Sequence, residues 1–231
     1  MDMHVIRTGV FGVNTYIVPL CKGKVFVVDP AACALAGDES KITDYLKSKK
    51  LECVAIILTH SHFDHVMGIA PLKKMFPKAV IAIHEAEFEE MQDGPGPMNQ
   101  AVIGFFGALE MLKVVAQQPA AEVKLRDGMN LGPLAGDSSN SLNRNDELQD
   151  TLKKWTVVHT PGHTPGSICL YNKTDGVLIS GDTLFDYGGY GRTDMYGGDE
   201  AEIMRSLSKI RKEIPEGTKV YPGHDSFGFA L

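Results

Sequence analysis

Val54-Ala55-Ile56-Ile57-Leu58-Thr59-His60-Ser61-His62-Phe63-Asp64-His65 joins an unbroken apolar run to three histidines and an aspartate. The run is short, rich in branched residues and without alternation, the pattern of a strand in a sheet covered on both faces. The packet after it therefore falls on the loop at a strand's carboxyl end, where open α/β sheets place their ligands. A rigid strand beneath a loop holds several side chains in fixed directions. A histidine-rich turn can also be plain solvated loop, but the order H-x-H-x-D-H favours metal binding. His60 and His62 can share one ion, while Asp64 and His65 turn to another.

Upstream, strands are expected around Val5-Ile6, Asn14-Tyr16-Val18 and Lys24–Val28, the last closed by Asp29-Pro30. Asp38 to Lys50 reads as a helix with Ile42, Tyr45 and Leu46 on one face and Asp38 or Ser40 as its cap. Downstream, a short helix over Ile69 to Phe76 stops at Pro77, and Ala79 to Ile83 is another buried strand. Gly94-Pro95-Gly96-Pro97 must break any helix begun at Glu85, so residues 85–120 read as two helices with a loop between them, with Phe105, Leu109 and Leu112 as a core stripe. Residues 137–150 are polar and turn-rich and read as a surface insertion in a hairpin between Gly128–Leu131 and Trp155–Val158. The final third repeats the order of the first: strands at Ser167 to Tyr171 and Gly176 to Ser180, a helix over Glu200 to Glu213, and a strand at Lys219 to Tyr221.

At 231 residues, with 43% apolar and 23% charged, the chain can bury a core without disulfides. One α/β domain over 1–231, made of two similar sheet-plus-helix halves, is the expected organisation. The net charge of −6 and the lack of a basic stripe argue against nucleic acid as a partner. Cys21, Cys33, Cys53 and Cys169 are scattered, as free thiols of a reducing compartment would be. The amino terminus has neither a basic n-region nor an apolar h-region, and no segment is long enough to span a bilayer. A cytoplasmic protein without a membrane partner is expected.

Three later segments share the character of the packet: Pro161-Gly162-His163-Thr164-Pro165-Gly166-Ser167, Ser180-Gly181-Asp182-Thr183 and Tyr221-Pro222-Gly223-His224-Asp225. Each sets one candidate ligand on a glycine-containing turn beside a strand, and glycine lets the backbone turn sharply there. With the packet they supply five histidines and two aspartates, enough for two ions if one carboxylate bridges.

The ordered set T-H-S-H-F-D-H, P-G-H-T-P-G-S, S-G-D-T-L-F and P-G-H resembles the metallo-β-lactamase superfamily, and within it the glyoxalase II type of thioester hydrolase. The resemblance implies a four-layer αββα sandwich. It implies His60, His62 and His163 on one metal, Asp64, His65 and His224 on the second, and Asp182 bridging. Without a cysteine among these ligands the site suits zinc first, with iron or manganese as alternatives. Two divalent ions about 3.5–4 Å apart activate water as a hydroxide nucleophile and polarise a carbonyl, so no serine nucleophile is needed. Asp64 is the residue expected to accept or relay the proton, and a small-molecule thioester such as an acylglutathione is the expected substrate.

Gly191-Arg192-Thr193-Asp194 and Gly197-Gly198-Asp199 resemble further segments of that branch. Arg192 and Asp194 read as an ion pair pinning a turn or as support behind the Asp182 loop, and Asp29 as a candidate for the same support. Tyr187 and Tyr190, in a stretch longer than the family's usual one, are substrate-contact candidates. His4, His84 and His159 are expected to be structural. Full-length glyoxalase II enzymes carry a C-terminal helical domain that grips glutathione, whereas this chain stops seven residues after His224. An iron-dependent persulfide dioxygenase, a lactonase or phosphodiesterase on the same ligands, and a non-catalytic metal-binding module are the alternatives.

Overall fold

Lys24–Val28 forms a strand that is buried at every position after the first, because both of its faces are covered. Val25 and Val27 pack under helices, while Phe26 and Val28 face a second sheet. The computed structural model describes residues 3–136 and 146–231. Within them the first sheet runs β1 (His4–Thr8), β2 (Val13–Pro19), β3 (Lys24–Val28), β4 (Glu52–Ile57), β5 (Val80–His84) and β6 (Val123–Leu125), in that spatial order. The β1–β2–β3 pairs are antiparallel and those from β3 to β6 parallel. The second sheet contains β7 (Trp155–His159), β8 (Ile168–Asn172), β9 (Val177–Gly181), β10 (Lys219–Pro222) and β11 (Phe229–Ala230), and only its β9–β10 pair is parallel.

Parallel neighbours need crossovers, and helices supply them. Here α1 (Lys41–Ser48) links β3 to β4, α2 (Phe63–Val66) and α3 (Ile69–Met75) lie between β4 and β5, and α7 (Glu200–Glu213) links β9 to β10. Between β5 and β6 stand α4 (Pro97–Phe106) and α5 (Glu110–Val115), and α6 (Asp146–Lys153) precedes β7. Pro97 opens α4 at its first turn, where a missing N–H costs nothing, and Gly107 closes it in the left-handed region. Asp199 caps α7 by accepting the Glu202 N–H at 2.8 Å.

Three apolar layers make this an αββα sandwich. Ile42, Leu46, Ile69, Leu72 and Ile103 of the first helical layer cover Val25, Val27, Ile56 and Ile81. Between the sheets Phe26, Val28 and Ile57 meet Trp155, Val157, Leu170 and Ile179, with Phe26 and Trp155 edge to face at 5.3 Å. On the far side Ile203, Leu207 and Ile210 of α7 cover Val158, Leu178 and Val220. Among the described residues no helix is long and apolar enough to cross a membrane.

The structure refines or overturns the sequence reading in four places. Of the expected 137–150 insertion, residues 137–145 lie outside the described residues, and 146–150 belong to α6, whose Leu148 and Leu152 are buried between the layers. The hairpin expected before β7 is present but short: it is the antiparallel bridge of Asn130 to Thr156 with three main-chain hydrogen bonds, from the N–H groups of Gly128 and Leu131 to the Val157 and Trp155 carbonyls and from the Val157 N–H to the Met129 carbonyl. Asp38 does not cap α1; its carboxylate accepts the N–H groups of Gly9 and Cys33 at 2.9 Å each. Phe105 and Leu109, read as core, are 68% and 61% exposed, since α4 and α5 turn their other faces inward through Val102, Ile103, Met111 and Val115.

Candidate metal centre

The carboxyl ends of the parallel strands gather the candidate ligands. Asp29 follows β3, the packet follows β4, Asp182 follows β9 and His224 follows β10, while His163 comes from the β7–β8 loop. The packet is not wholly loop, because α2 begins at Phe63 and carries Asp64 and His65 on its single turn.

His60, His62 and His163 form the first cluster. One ligand nitrogen of each lies within 4.8 Å of the others, and the ring centroids are 4.6 to 4.9 Å apart. Asp64, His65 and His224 form a second cluster by the same measure. Asp182 stands between the two: its carboxylate is 3.7 Å from His163 Nε2, 3.6 Å from His65 Nε2 and 3.5 Å from His224 Nε2. All seven residues expected as ligands are thus brought together.

Partners behind the rings fix which nitrogen faces inward. His65 Nδ1 donates to Asp29 Oδ2 at 3.0 Å, His163 Nδ1 donates to the Arg192 carbonyl at 2.7 Å, and His60 Nδ1 meets Thr59 Oγ1 at 3.1 Å. Such contacts set tautomer and ring orientation at metal sites. Asp29 also accepts the Thr59 N–H at 2.8 Å and its hydroxyl at 2.6 Å, so one carboxylate anchors both ends of the packet. Asp29, grouped by distance with His60 and His65, is therefore engaged in support.

Nε2 of His60, His62 and His163 and Oδ1 of Asp182 are buried without a hydrogen-bond partner among the described residues. Orphaned polar atoms of this kind are rare and need an explanation. Three imidazole nitrogens converging with a carboxylate are a donor set for a divalent cation, so the residues fit the metal that the motifs imply. The electrostatics agree. Burial and the surrounding imidazoles push His60 well below its ordinary pKa and His62 down to about 3, which keeps both in the neutral, ligating form. In the second cluster burial lowers His65, but Asp182, Asp64 and Asp29 outweigh it and raise the pKa well above the ordinary value. Burial raises Asp64 and Asp182, and the neighbouring histidines, His65 foremost, overcome it and hold both carboxyls below the usual range.

A cavity of about 400 Å³ opens over the clusters. It is lined by Phe11, Phe63, Val102, Phe106 and Met195, by Phe185, whose ring lies 6.4 Å from that of His224, by Arg192, and by the candidate ligands His62, Asp64, His163, Asp182 and His224. Arg192 makes a two-pronged ion pair with Asp194 at 2.7 and 2.8 Å, and its guanidinium lies 5.6 Å from the Phe105 ring centroid and 5.9 Å from that of Phe106. The two side chains pair with each other within the turn, and the contact to a candidate ligand comes from the Arg192 main-chain carbonyl on His163, not from a side chain behind the Asp182 loop. Tyr187 and Tyr190 do not line the cavity, and Tyr187 is 99% exposed. Residue type and the length of their loop marked them, and the turn at Asp186–Gly188 leaves Tyr187 in solvent. His84 and His159 stack on each other at 3.9 Å, away from the clusters.

Asn14 is a contributor that the sequence reading missed. Its backbone N–H donates to the Gly223 carbonyl at 2.7 Å and its side-chain amide to the Pro222 carbonyl at 3.0 Å, so β2 holds the turn that presents His224. A single asparagine within a strand carries no motif by which to find it.

The profile of the Metallo-beta-lactamase superfamily matches residues 8–224. The chain is 31% identical over 210 residues to the "Probable metallo-hydrolase YqgX" of Bacillus subtilis, covering 89% of this chain and 86% of that one. It is 30% identical over 203 residues to the hydroxyacylglutathione hydrolase of Chromohalobacter salexigens, covering 87% of this chain but 57% of that protein. The crystal structure of BLEG-1 B3 metallo-beta-lactamase superposes with a TM-score of 0.78 at 26% identity, over 99% of this chain and 94% of the other. The ordered ligands, the sandwich that assembles them and these likenesses together establish that the chain belongs to the metallo-beta-lactamase superfamily.

Proposed function

We propose that the protein is a two-metal hydrolase acting on a thioester of the acylglutathione type. The observation that carries this reading is the convergence of seven ligands in two clusters that share Asp182, at the floor of a cavity open to a small molecule. His60, His62 and His163 would hold one divalent ion, Asp64, His65 and His224 the other, with Asp182 between them. Zinc is the ion the nitrogen and oxygen donors suit first, ahead of iron or manganese. Ions bound there supply Lewis acidity and lower the pKa of water to near 7.

The protein's own groups account for the remaining chemistry. Asp64, held ionised by His65 and His224, is the carboxylate placed to take a proton on the cavity side of the clusters. Asp29 and the Arg192 carbonyl keep His65 and His163 from rotating. The aromatic wall of Phe11, Phe63 and Phe106 shields one side of the cavity from water and suits an apolar acyl or thioether segment. A thiolate leaves readily without a strong general acid, which matches a site that offers none. The likeness to a hydroxyacylglutathione hydrolase supports the thioester, although the chain spans little more than half of that protein.

The test is to purify the protein, count metal ions per chain by elemental analysis, and assay the same sample against an acylglutathione thioester and against glutathione persulfide with oxygen uptake. Two ions with thioester cleavage are expected. One iron with oxygen consumption would overturn the reading, as would full activity in His224→Ala.

A further inference from the structure

Residues between β5 and α5 hold two buried polar side chains that touch none of the seven ligands yet grip the loops that carry them. Glu87 lies in a 3-10 turn directly after β5 and is 1% exposed. Its Oε2 accepts the N–H of Ser61 at 2.6 Å, and its Oε1 accepts the N–H of Gly166 at 2.6 Å. Ser61 stands between His60 and His62, and Gly166 is three residues beyond His163. From α4, the buried Asn99 donates its side-chain amide to the Ser61 carbonyl at 2.7 Å. Both main-chain groups of Ser61 are thereby held from the same segment.

The two loops belong to different sheets, and the packing around the carboxylate leaves no slack. A Cβ on Gly166 would sit 2.8 Å from Glu87 Cγ and 2.9 Å from Oε1, so the loop comes as near as a bare backbone permits. Among the described residues Glu87 has no cationic partner. A buried carboxylate without a counter-charge is costly, and two charge-assisted hydrogen bonds offset only part of that. The imidazoles of His60, His62 and His163 on the same two loops would hold a divalent ion whose charge complements that carboxylate.

We infer that Glu87 is the positioning residue of the His60, His62 and His163 cluster, a clamp that sets the distance between the two loops whose nitrogens must converge on one ion. The inference rests on reading that cluster as a metal site. Its chemistry is specific to a carboxylate of this length. Glutamine keeps the volume but offers one acceptor and turns an N–H against an N–H, and aspartate is a methylene short of spanning both loops.

The decisive experiment compares Glu87→Gln with wild type after chelator stripping. Zinc is titrated back in competition with a chromophoric chelator, and urea unfolding of the ion-free proteins is followed in parallel. His163→Ala and His224→Ala identify which binding step belongs to which cluster. Glu87→Gln is expected to weaken the step lost in His163→Ala by about 10–100-fold and to spare the step lost in His224→Ala. Unchanged zinc affinity, or an equal loss at both steps, would overturn the clamp, because a general loosening moves both. If Glu87→Gln does not fold, Asn99→Ala decides: it leaves Glu87 in place and frees only the Ser61 carbonyl. There the loss should be about 3–10-fold, one hydrogen bond's worth, and confined to the same step, and an unaltered step overturns the clamp. Zinc-free wild type under all conditions would instead remove the metal reading and the clamp together.

Discussion

Asp29→Asn isolates the support of the second cluster with little other disturbance. Asp29 occupies a left-handed backbone conformation at φ 49°, which asparagine tolerates as well as aspartate, so the strand end is expected to keep its course. The carboxylate accepts three hydrogen bonds: the Thr59 N–H, the Thr59 hydroxyl and His65 Nδ1. An amide has one acceptor oxygen. If that oxygen stays on the Thr59 N–H, the amide nitrogen faces His65 Nδ1 and donates to it, which moves the imidazole proton to Nε2. His65 then presents an N–H where it must present a lone pair. Restoring the ligating tautomer means leaving a buried donor against a donor, so the variant loses on either arrangement. Loss of such a partner behind a ligand costs about 10–100-fold in metal affinity, or about 1.4–2.8 kcal/mol at 1.4 kcal/mol per decade. Zinc titration against a chromophoric chelator reads the affinity directly, and the loss should fall on the step that His224→Ala abolishes. Wild-type affinity for both ions in Asp29→Asn would refute the reasoning, because it would mean that His65 keeps its tautomer without the carboxylate.

A methyl group on Gly223 would lie 2.2 Å from Asp182 Oδ1 and 2.7 Å from His65 Cε1, so Gly223→Ala should lose the second ion in elemental analysis and unfold at lower urea than wild type. Burial, with help from His159, pushes His84 down to about 4, so between that value and its ordinary 6.5 the unfolded chain binds the proton and the folded one does not. Folding stability should therefore fall as pH drops through that window, and His84→Asn should flatten the fall in urea midpoints measured on ion-free protein at pH 7 and 4.5. Burial raises the Cys53 thiol to about 12 and the Cys169 thiol to about 11, so iodoacetamide at pH 8 should leave both unmodified in the native protein and alkylate both in urea, as read by mass spectrometry.

The candidate ligands were legible in the sequence because each sits where two local signals coincide, an apolar strand ending and a turn that glycine or a short helix permits. The α7 helix was equally plain, since Asp199 caps it and Ile203, Leu207 and Ile210 recur at helical spacing. The supports were not legible. Glu87 acts on Gly166 across 79 positions, and Asn14 on Pro222 across 208, each through a main-chain group that every residue possesses. No residue pattern marks the receiving end of such a bond. Of the stripe Phe105, Leu109 and Leu112, only Leu112 packs against the core, and the other two failed as core predictions for a related reason. Periodicity reports that an amphipathic face exists, but α4 is apolar on more than one face, and only the packing of Val102 and Ile103 against the first sheet decides which is covered.

The division of ligands between the sheets bears on how the site is built. The first sheet's loops supply His60, His62, Asp64 and His65, and the second sheet's loops supply His163, Asp182 and His224. The His60, His62, His163 cluster and the Asp64, His65, His224 cluster each take two members from the first sheet and one from the second, so neither half completes either of them alone, whereas the Asp29, His60, His65 group lies wholly on the first sheet. An ion that binds the folded chain alone stabilises it by RT ln(1 + [L]/Kd), about 2.7 kcal/mol at a hundred times Kd. Because the His60, His62, His163 and the Asp64, His65, His224 clusters both cross the sandwich, that free energy acts on the packing of Phe26, Val28 and Ile57 against Trp155, Val157 and Ile179 as well as on the loops. Residues that set the approach of the two halves, Asn14 and Glu87 among them, therefore belong to the metal centre in energetic terms although none of them is a ligand.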